Sequence, residues 1–326
     1  MKPKNGLRLV VAAMLVMGAL CAQAALAQVP ARFYWKPLSG ANAVPLIVES
    51  LSGNTNPFDP ASIVSSGSYF EGTLAIAGFA HGFSLSGRAA MLAVLLPMGR
   101  VSGEVMTDEL SSTQSSLGFG DPMVQFNVNI IGPPAQKTIP DALRYEPRFS
   151  LDVLASLSVP IGEYDSSKAL NLGQNRWYGY LGLPIVWQLG SWVPGRRMTL
   201  EFLPLVWFFG TNDNYVGQSL STDPKFQLDG HLTRDLGEHL WAAIDGSWFY
   251  GGTSSVNGVP GEKLNDVLLG LTLGYTLNDN MALTFGYKST VNDNAPTALR
   301  MNTFMVSLLF GWHPIVEGSR RLQGEK

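Results

Sequence analysis

Long runs in which apolar and polar side chains take strict turns recur along this chain, and they restrict it to β-structure. From Arg148 to Ile161, the residues Phe149, Leu151, Val153, Ala155, Leu157, Val159 and Ile161 form one series, while Arg148, Ser150, Asp152, Ser156 and Ser158 form the other. Successive side chains on a strand point to opposite faces, so such a segment has one oily and one polar flank. The same alternation runs through Val124–Ile130, Phe226–Asp235, Val267–Thr276, Met281–Lys288 and Phe304–Trp312. Less regular segments at about 43–51, 68–80, 84–97, 177–189, 198–209 and 239–250 bring the expected number of strands to 12. Several exceed the roughly 5–6 residues usual in soluble sheets and reach the roughly 9–11 that a tilted membrane-spanning strand needs.

Composition points the same way. Only 14% of the 326 residues are charged, against about 25% in soluble domains. After residue 27 no apolar run approaches the roughly 20 residues of a spanning helix. With 22 basic against 25 acidic residues, there is no electrostatic footprint for nucleic acid.

The connections sort by length. Short ones are expected near His81–Phe83, Gly190–Arg196, Gly237-Glu238 and Asn278–Asn280, and long ones at about 52–67, 99–118, 162–176, 210–225, 251–266 and 289–302. One exception, 131–147, is long where a short turn is due. Alternating short and long connections fit an up-and-down barrel with its turns in the periplasm and its loops outside. In hydrocarbon every backbone polar group must be paired within the protein, so strands can span only as a closed barrel. The expected fold is therefore all-β: a transmembrane antiparallel up-and-down β-barrel over residues 43–312, with oily flanks toward lipid and polar flanks toward the lumen. Trp177, Trp187, Trp207, Trp248, Phe310 and Trp312 fall near strand ends, where interfacial aromatic girdles lie.

Residues 1–27 read as a cleaved signal peptide. Lys2, Lys4 and Arg8 precede the apolar stretch Leu9–Leu20, and small residues end at Ala25-Leu26-Ala27. Cys21, the only cysteine, is not read as a lipoprotein site because Leu20 before it is too large. Residues 28–42, with Phe33, Tyr34 and Trp35, are expected to tuck into the periplasmic mouth as a partial plug, and residues 313–326 to form a periplasmic tail.

Three motifs, Gly118-Phe119-Gly120-Asp121-Pro122, Pro160-Ile161-Gly162-Glu163-Tyr164 and Asn171-Leu172-Gly173-Gln174-Asn175-Arg176-Trp177, resemble the "putative meta-pathway of phenol degradation" family of outer-membrane transporters. The likeness covers about residues 43–312. It implies an outer-membrane barrel that helps aromatic or other hydrophobic compounds across, with no defined set of binding residues to carry over. Many such barrels end on the aromatic residue of their last strand. Here a tail follows Phe310 and Trp312, so the barrel-assembly machinery would read that signal internally.

No catalytic or metal-binding constellation is evident: there is no H-E-x-x-H, P-loop or dinucleotide fingerprint. The three Asn-Asp-Asn triplets at 212–214, 278–280 and 292–294 read as turns. Strand parity places Arg148, Asp152, Asp229, His231, Asp235, Asp245 and Lys288 in the lumen, a mixture that marks neither an anion- nor a cation-selective ring. His81, His239 and His313 fall in turns or the tail, and His231 reads as a hydrogen-bonded lumen residue. The expected function is passive passage of small hydrophobic or aromatic solutes, with outer-membrane lipids as surroundings and without cofactor, metal or covalent chemistry. The alternative is a structural or adhesive barrel whose lumen is closed and whose outer loops bind partners.

Overall fold

The structure, a computed structural model, describes residues 30–322 apart from 108, 109, 293, 294 and 296. The expected signal peptide lies outside the described residues. In chain order the elements are β1 (Asn42–Gly53), β2 (Tyr69–Leu85), β3 (Arg88–Thr107), β4 (Leu110–Phe119), β5 (Met123–Ile131), α1 (Ile139–Arg144), β6 (Phe149–Ser158), β7 (Tyr178–Gly182) and β8 (Ile185–Gln188). There follow β9 (Met198–Phe209), β10 (Asn212–Tyr215), β11 (Gln218–Thr222), β12 (Lys225–Asp235), β13 (Leu240–Gly251), β14 (Ser254–Val256), β15 (Val259–Pro260), β16 (Leu264–Asn278), β17 (Met281–Thr290), β18 (Met301–Trp312) and α2 (Pro314–Leu322).

The sheet closes on itself. β1 pairs with β18 from Asn42↔Trp312 to Gly53↔Met301, so the first and last strands of the barrel supply each other's ladder bonds. Counting β4–β5 and β7–β8 each as one interrupted strand, the ring holds 12 antiparallel strands. The second interruption has a chemical cause. Pro184 in the β7–β8 break and Pro204 of β9 have no N–H to donate, although both carbonyls still accept, from Asp152 and Leu183. Closure leaves no edge within the membrane.

The outward face is apolar. Leu269, Leu271 and Leu273 of β16, Ile244 of β13 and Leu46 and Val48 of β1 are all exposed. In water this belt would be an aggregation surface; in lipid it is matched.

Several connections differ from expectation. His81–Phe83 continues β2, and the turn comes at Ser86-Gly87, where φ values of 49° and 82° make the tight reversal of a two-residue hairpin. The span 99–118 is no open loop: β3 and β4 extend as a hairpin from Met98↔Phe119 to Thr107↔Leu110. At the same end, β10, β11, β14 and β15 form a separate four-stranded sheet. The long 131–147 connection folds at the short-turn end around α1. Its cap is reciprocal: Thr138 accepts from the Asp141 N–H while the Asp141 carboxylate accepts from the Thr138 N–H at 2.9 Å. The Thr138 hydroxyl, with the N–H groups of Lys137 and Thr138, holds the Asp141 carboxyl below its ordinary range.

The lumen is not uniformly polar, contrary to the sequence expectation. Ile47, Leu51, Leu74, Ile76 and Leu95 face inward from β1–β3 and are buried. The polar lining runs over β5, β6, β9, β12, β13, β16 and β17. Residues 30–41 supply the reason, because this segment lies buried inside the barrel and gives the apolar wall something to pack on.

Candidate functional site: the lumen and its inserted segment

Alternation sends Asp152, Asp229, His231, Asp235, Asp245 and Lys288 inward, all 5% exposed or less. Two of the placements expected from sequence are overturned. Arg148 is not in the lumen. Its φ of 47° breaks the alternation just before β6, and its side chain stands 85% exposed beside Glu146. Trp207 is not on the outer surface. It lies inside with Leu203 and Leu205, donates its indole N–H to Gln227 at 2.9 Å and stacks edge-on against Tyr180. Trp177, Trp187, Trp248 and Phe310 are exposed on the outside, and Trp312 is partly so.

The inward charges expected from sequence are paired. On β12 and β13, Asp229 accepts from Gln227 at 2.7 Å and from Ser247, whose hydroxyl oxygen accepts from Lys288 at 2.9 Å. His231 Nδ1 lies 2.6 Å from Asp245, which also accepts from Thr272. Each chain of contacts crosses neighbouring strands, so it fixes their side chains as well as satisfying them.

Residues 30–41 provide partners for Asp152, Asp235 and Glu201, and these partners had no signal in local sequence. Lys36 reaches Asp152 at 2.6 Å, where Asn127 and Asn129 also donate. Arg32 donates to Asp235 at 2.7 Å and to Thr233 at 3.2 Å. The other carboxylate oxygen of Asp235 accepts from Arg197 at 2.8 Å. Glu201, which sequence reading missed, takes the Arg32 N–H and the Trp35 indole N–H, both at 2.8 Å, and the Thr199 hydroxyl at 2.7 Å. A stack results: the Arg32 guanidinium sits 4.5 Å from the Trp241 ring and 4.3 Å from Trp35, whose other neighbours are Trp192 at 4.7 Å and Arg197 at 5.0 Å. Trp241 fits because Gly274 faces it; a Cβ there would overlap the indole. Gly274→Val is expected to lift Trp241 off the wall and destabilise the barrel by about 1–3 kcal/mol, as overpacking does. The check is a lower unfolding temperature of the compact form in detergent gels.

Other segments hold this plug-like element in place. Gln136 of the 131–147 connection accepts the Ser39 N–H through its backbone carbonyl and donates through its side-chain amide to the Lys36 carbonyl. His313, at the start of the tail, bonds the Ser39 carbonyl at 2.9 Å. At the opposite end the 54–68 connection folds inward. Its Asp59 meets Arg176 at 3.5 Å, and Lys225 donates to the Pro60 carbonyl. Beside it lies a vestibule of about 310 Å³ whose lining includes Phe70, Tyr164, Leu170 and Tyr215 together with Asn171 and Asn212. Of the expected Asn-Asp-Asn turns, 278–280 forms one, with Asn278 accepting from the Asn280 N–H, whereas 212–214 lies in β10 with Asn212 accepting from the Asn214 N–H, and the triplet at 292 lies partly outside the described residues.

With this geometry in view, comparison with known proteins is specific. A family model described as "Putative MetA-pathway of phenol degradation" matches residues 54–308. Among solved structures, the COG4313 outer membrane channel from Pseudomonas putida F1 superposes with a TM-score of 0.69 at 16% identity, covering 88% of this chain and all of that one. The β-domain of the Bordetella autotransporter BrkA gives 0.47 at 9% identity over 84% of this chain and 100% of its own. The KdgM porin in complex with disordered oligogalacturonate gives 0.44 at 8% identity over 83% and 99%. No curated protein matches.

Proposed function

The chain belongs to the "Putative MetA-pathway of phenol degradation" family of outer-membrane β-barrels, and on that footing we propose that it is a passive channel for small aromatic or hydrophobic solutes. The observation that supports the substrate class is the two-sided lumen. One wall is apolar and aromatic, the other carries hydrogen-bonding groups, and the vestibule at the long-loop end repeats that mixture. A solute with a ring and a polar substituent finds a partner on each side. The long-loop end is then extracellular and the short-turn end periplasmic. Residues 30–41 are the constriction at the periplasmic end. No covalent step enters this reading.

A structural or adhesive role is the second reading. The inserted segment and the added sheet of β10, β11, β14 and β15 favour it. Permeation separates the two. In lipopolysaccharide-containing vesicles, which slow hydrophobic permeation, the channel should carry labelled aromatic solutes several-fold faster than protein-free vesicles do. Equal rates would leave the closed barrel as the better account.

A further inference from the structure

Trp35 belongs to the inserted segment, yet it is held as a ligand would be. Every group that grips its ring and its N–H, apart from Arg32, comes from the barrel or a barrel turn: Glu201 on β9, and Trp192 and Arg197 in the turn after β8. The acceptor is itself pre-set, since Thr199 donates to the same Glu201 oxygen at 2.7 Å and is fixed in turn by Thr233. Glu201 and Thr199 are fully buried. A carboxylate placed so deep is costly unless a donor reaches it. Without residues 30–41 the Trp35 and Arg32 donors would both be gone, and Thr199 alone would remain of the three.

We propose that the seat of Trp35 is a binding site for solute, occupied in this state by the protein's own indole. Its ligand is an aromatic ring bearing an N–H or O–H donor, such as an indole or a phenol. The ring lies on Trp192 beside the Arg197 guanidinium, and the donor bonds Glu201. This deepens the channel reading and rests on it for the solute's route. A solute arriving here competes with Trp35 and loosens the segment that narrows the mouth, so the last binding step in the lumen is also the step that opens it.

The test is binding, measured by calorimetry on the full mature chain in detergent. Trp35→Ala leaves a hole shaped for the missing ring, and indole should bind it saturably, one per chain. N-methylindole keeps the ring and lacks the donor; it should bind at least about tenfold more weakly, the worth of one hydrogen bond to a charged acceptor. The unaltered chain should bind indole far more weakly than the variant does. Equal affinity for both indoles, or the same uptake by variant and unaltered chain, would overturn the proposal. Should Trp35→Ala not reach the compact form, Trp35→Phe keeps a smaller aromatic ring in the seat and removes the donor, and the same preference for indole over N-methylindole is expected. Permeation without this binding would sink the seat and spare the channel, whereas binding without permeation would do the reverse.

Discussion

Removing residues 30–38 is expected to raise single-channel conductance in planar bilayers several-fold and to turn the pore cation-selective. The segment fills the short-turn end with Phe33, Tyr34, Trp35 and Leu38, all buried. It also brings Arg32 and Lys36 to Asp235, Glu201 and Asp152. Its loss therefore clears the mouth and leaves three carboxylates facing water with fewer cations beside them. A ring of acids concentrates cations and repels anions. The deletion stops short of Ser39, whose carbonyl bonds His313, and of β1, whose pairing with β18 closes the barrel. The compact form should therefore survive in detergent gels. Each large side chain withdrawn forfeits roughly 1.5–3 kcal/mol of burial, so a lower unfolding temperature is expected as well. Unchanged conductance in a compact deletion variant would show that the constriction lies elsewhere, the inward fold of residues 54–68 being next in line.

What could be read from sequence followed the contrast between faces. On β16, leucines at Leu269, Leu271 and Leu273 stand against Gly270, Thr272 and Gly274, and both strand and facing were legible. On β9, Leu203, Leu205 and Trp207 alternate with Phe202, Pro204, Val206 and Phe208, so parity carried no signal and Trp207 was assigned outward. Arg148 failed for another reason. Parity assumes extended backbone, and one left-handed residue at the strand's start cancels it. The core of the candidate site was beyond sequence altogether. Arg32 and Asp235 meet across 203 positions, and Trp35 and Glu201 across 166. As the only charged residue of β9, Glu201 could have been marked as inward, but nothing local names its partner. The apolar half of the lumen shares that cause: inward leucines read as lipid-facing until an inserted segment is there to cover them.

Asp235→Ala should open the same mouth from the other side. This carboxylate ties three parts together: Arg32 of the segment at 2.7 Å, Arg197 at 2.8 Å, and the N–H groups of Gly195 and Arg197 at 3.0 and 3.2 Å. Taking it away leaves two guanidiniums, 5% and 7% exposed, close together without their shared counter-charge. Breaking a buried pair in this way costs about 3–5 kcal/mol. Two outcomes can relieve the strain, loss of the barrel or withdrawal of the segment. Withdrawal should win, because β12 is held along its length by β9 and β13, from Lys225↔Trp207 and Lys225↔Gly251 onward. The segment is held chiefly by side chains and a few bonds from the turns. Conductance of Asp235→Ala should therefore approach that of the 30–38 deletion. In the deletion background the same substitution should change the unfolding temperature much less, because Arg32 is absent and Arg197 is hydrated at the open mouth. That non-additivity is the signature of shared partners. If the two changes lower the unfolding temperature additively, Asp235 braces the wall and does not hold the segment.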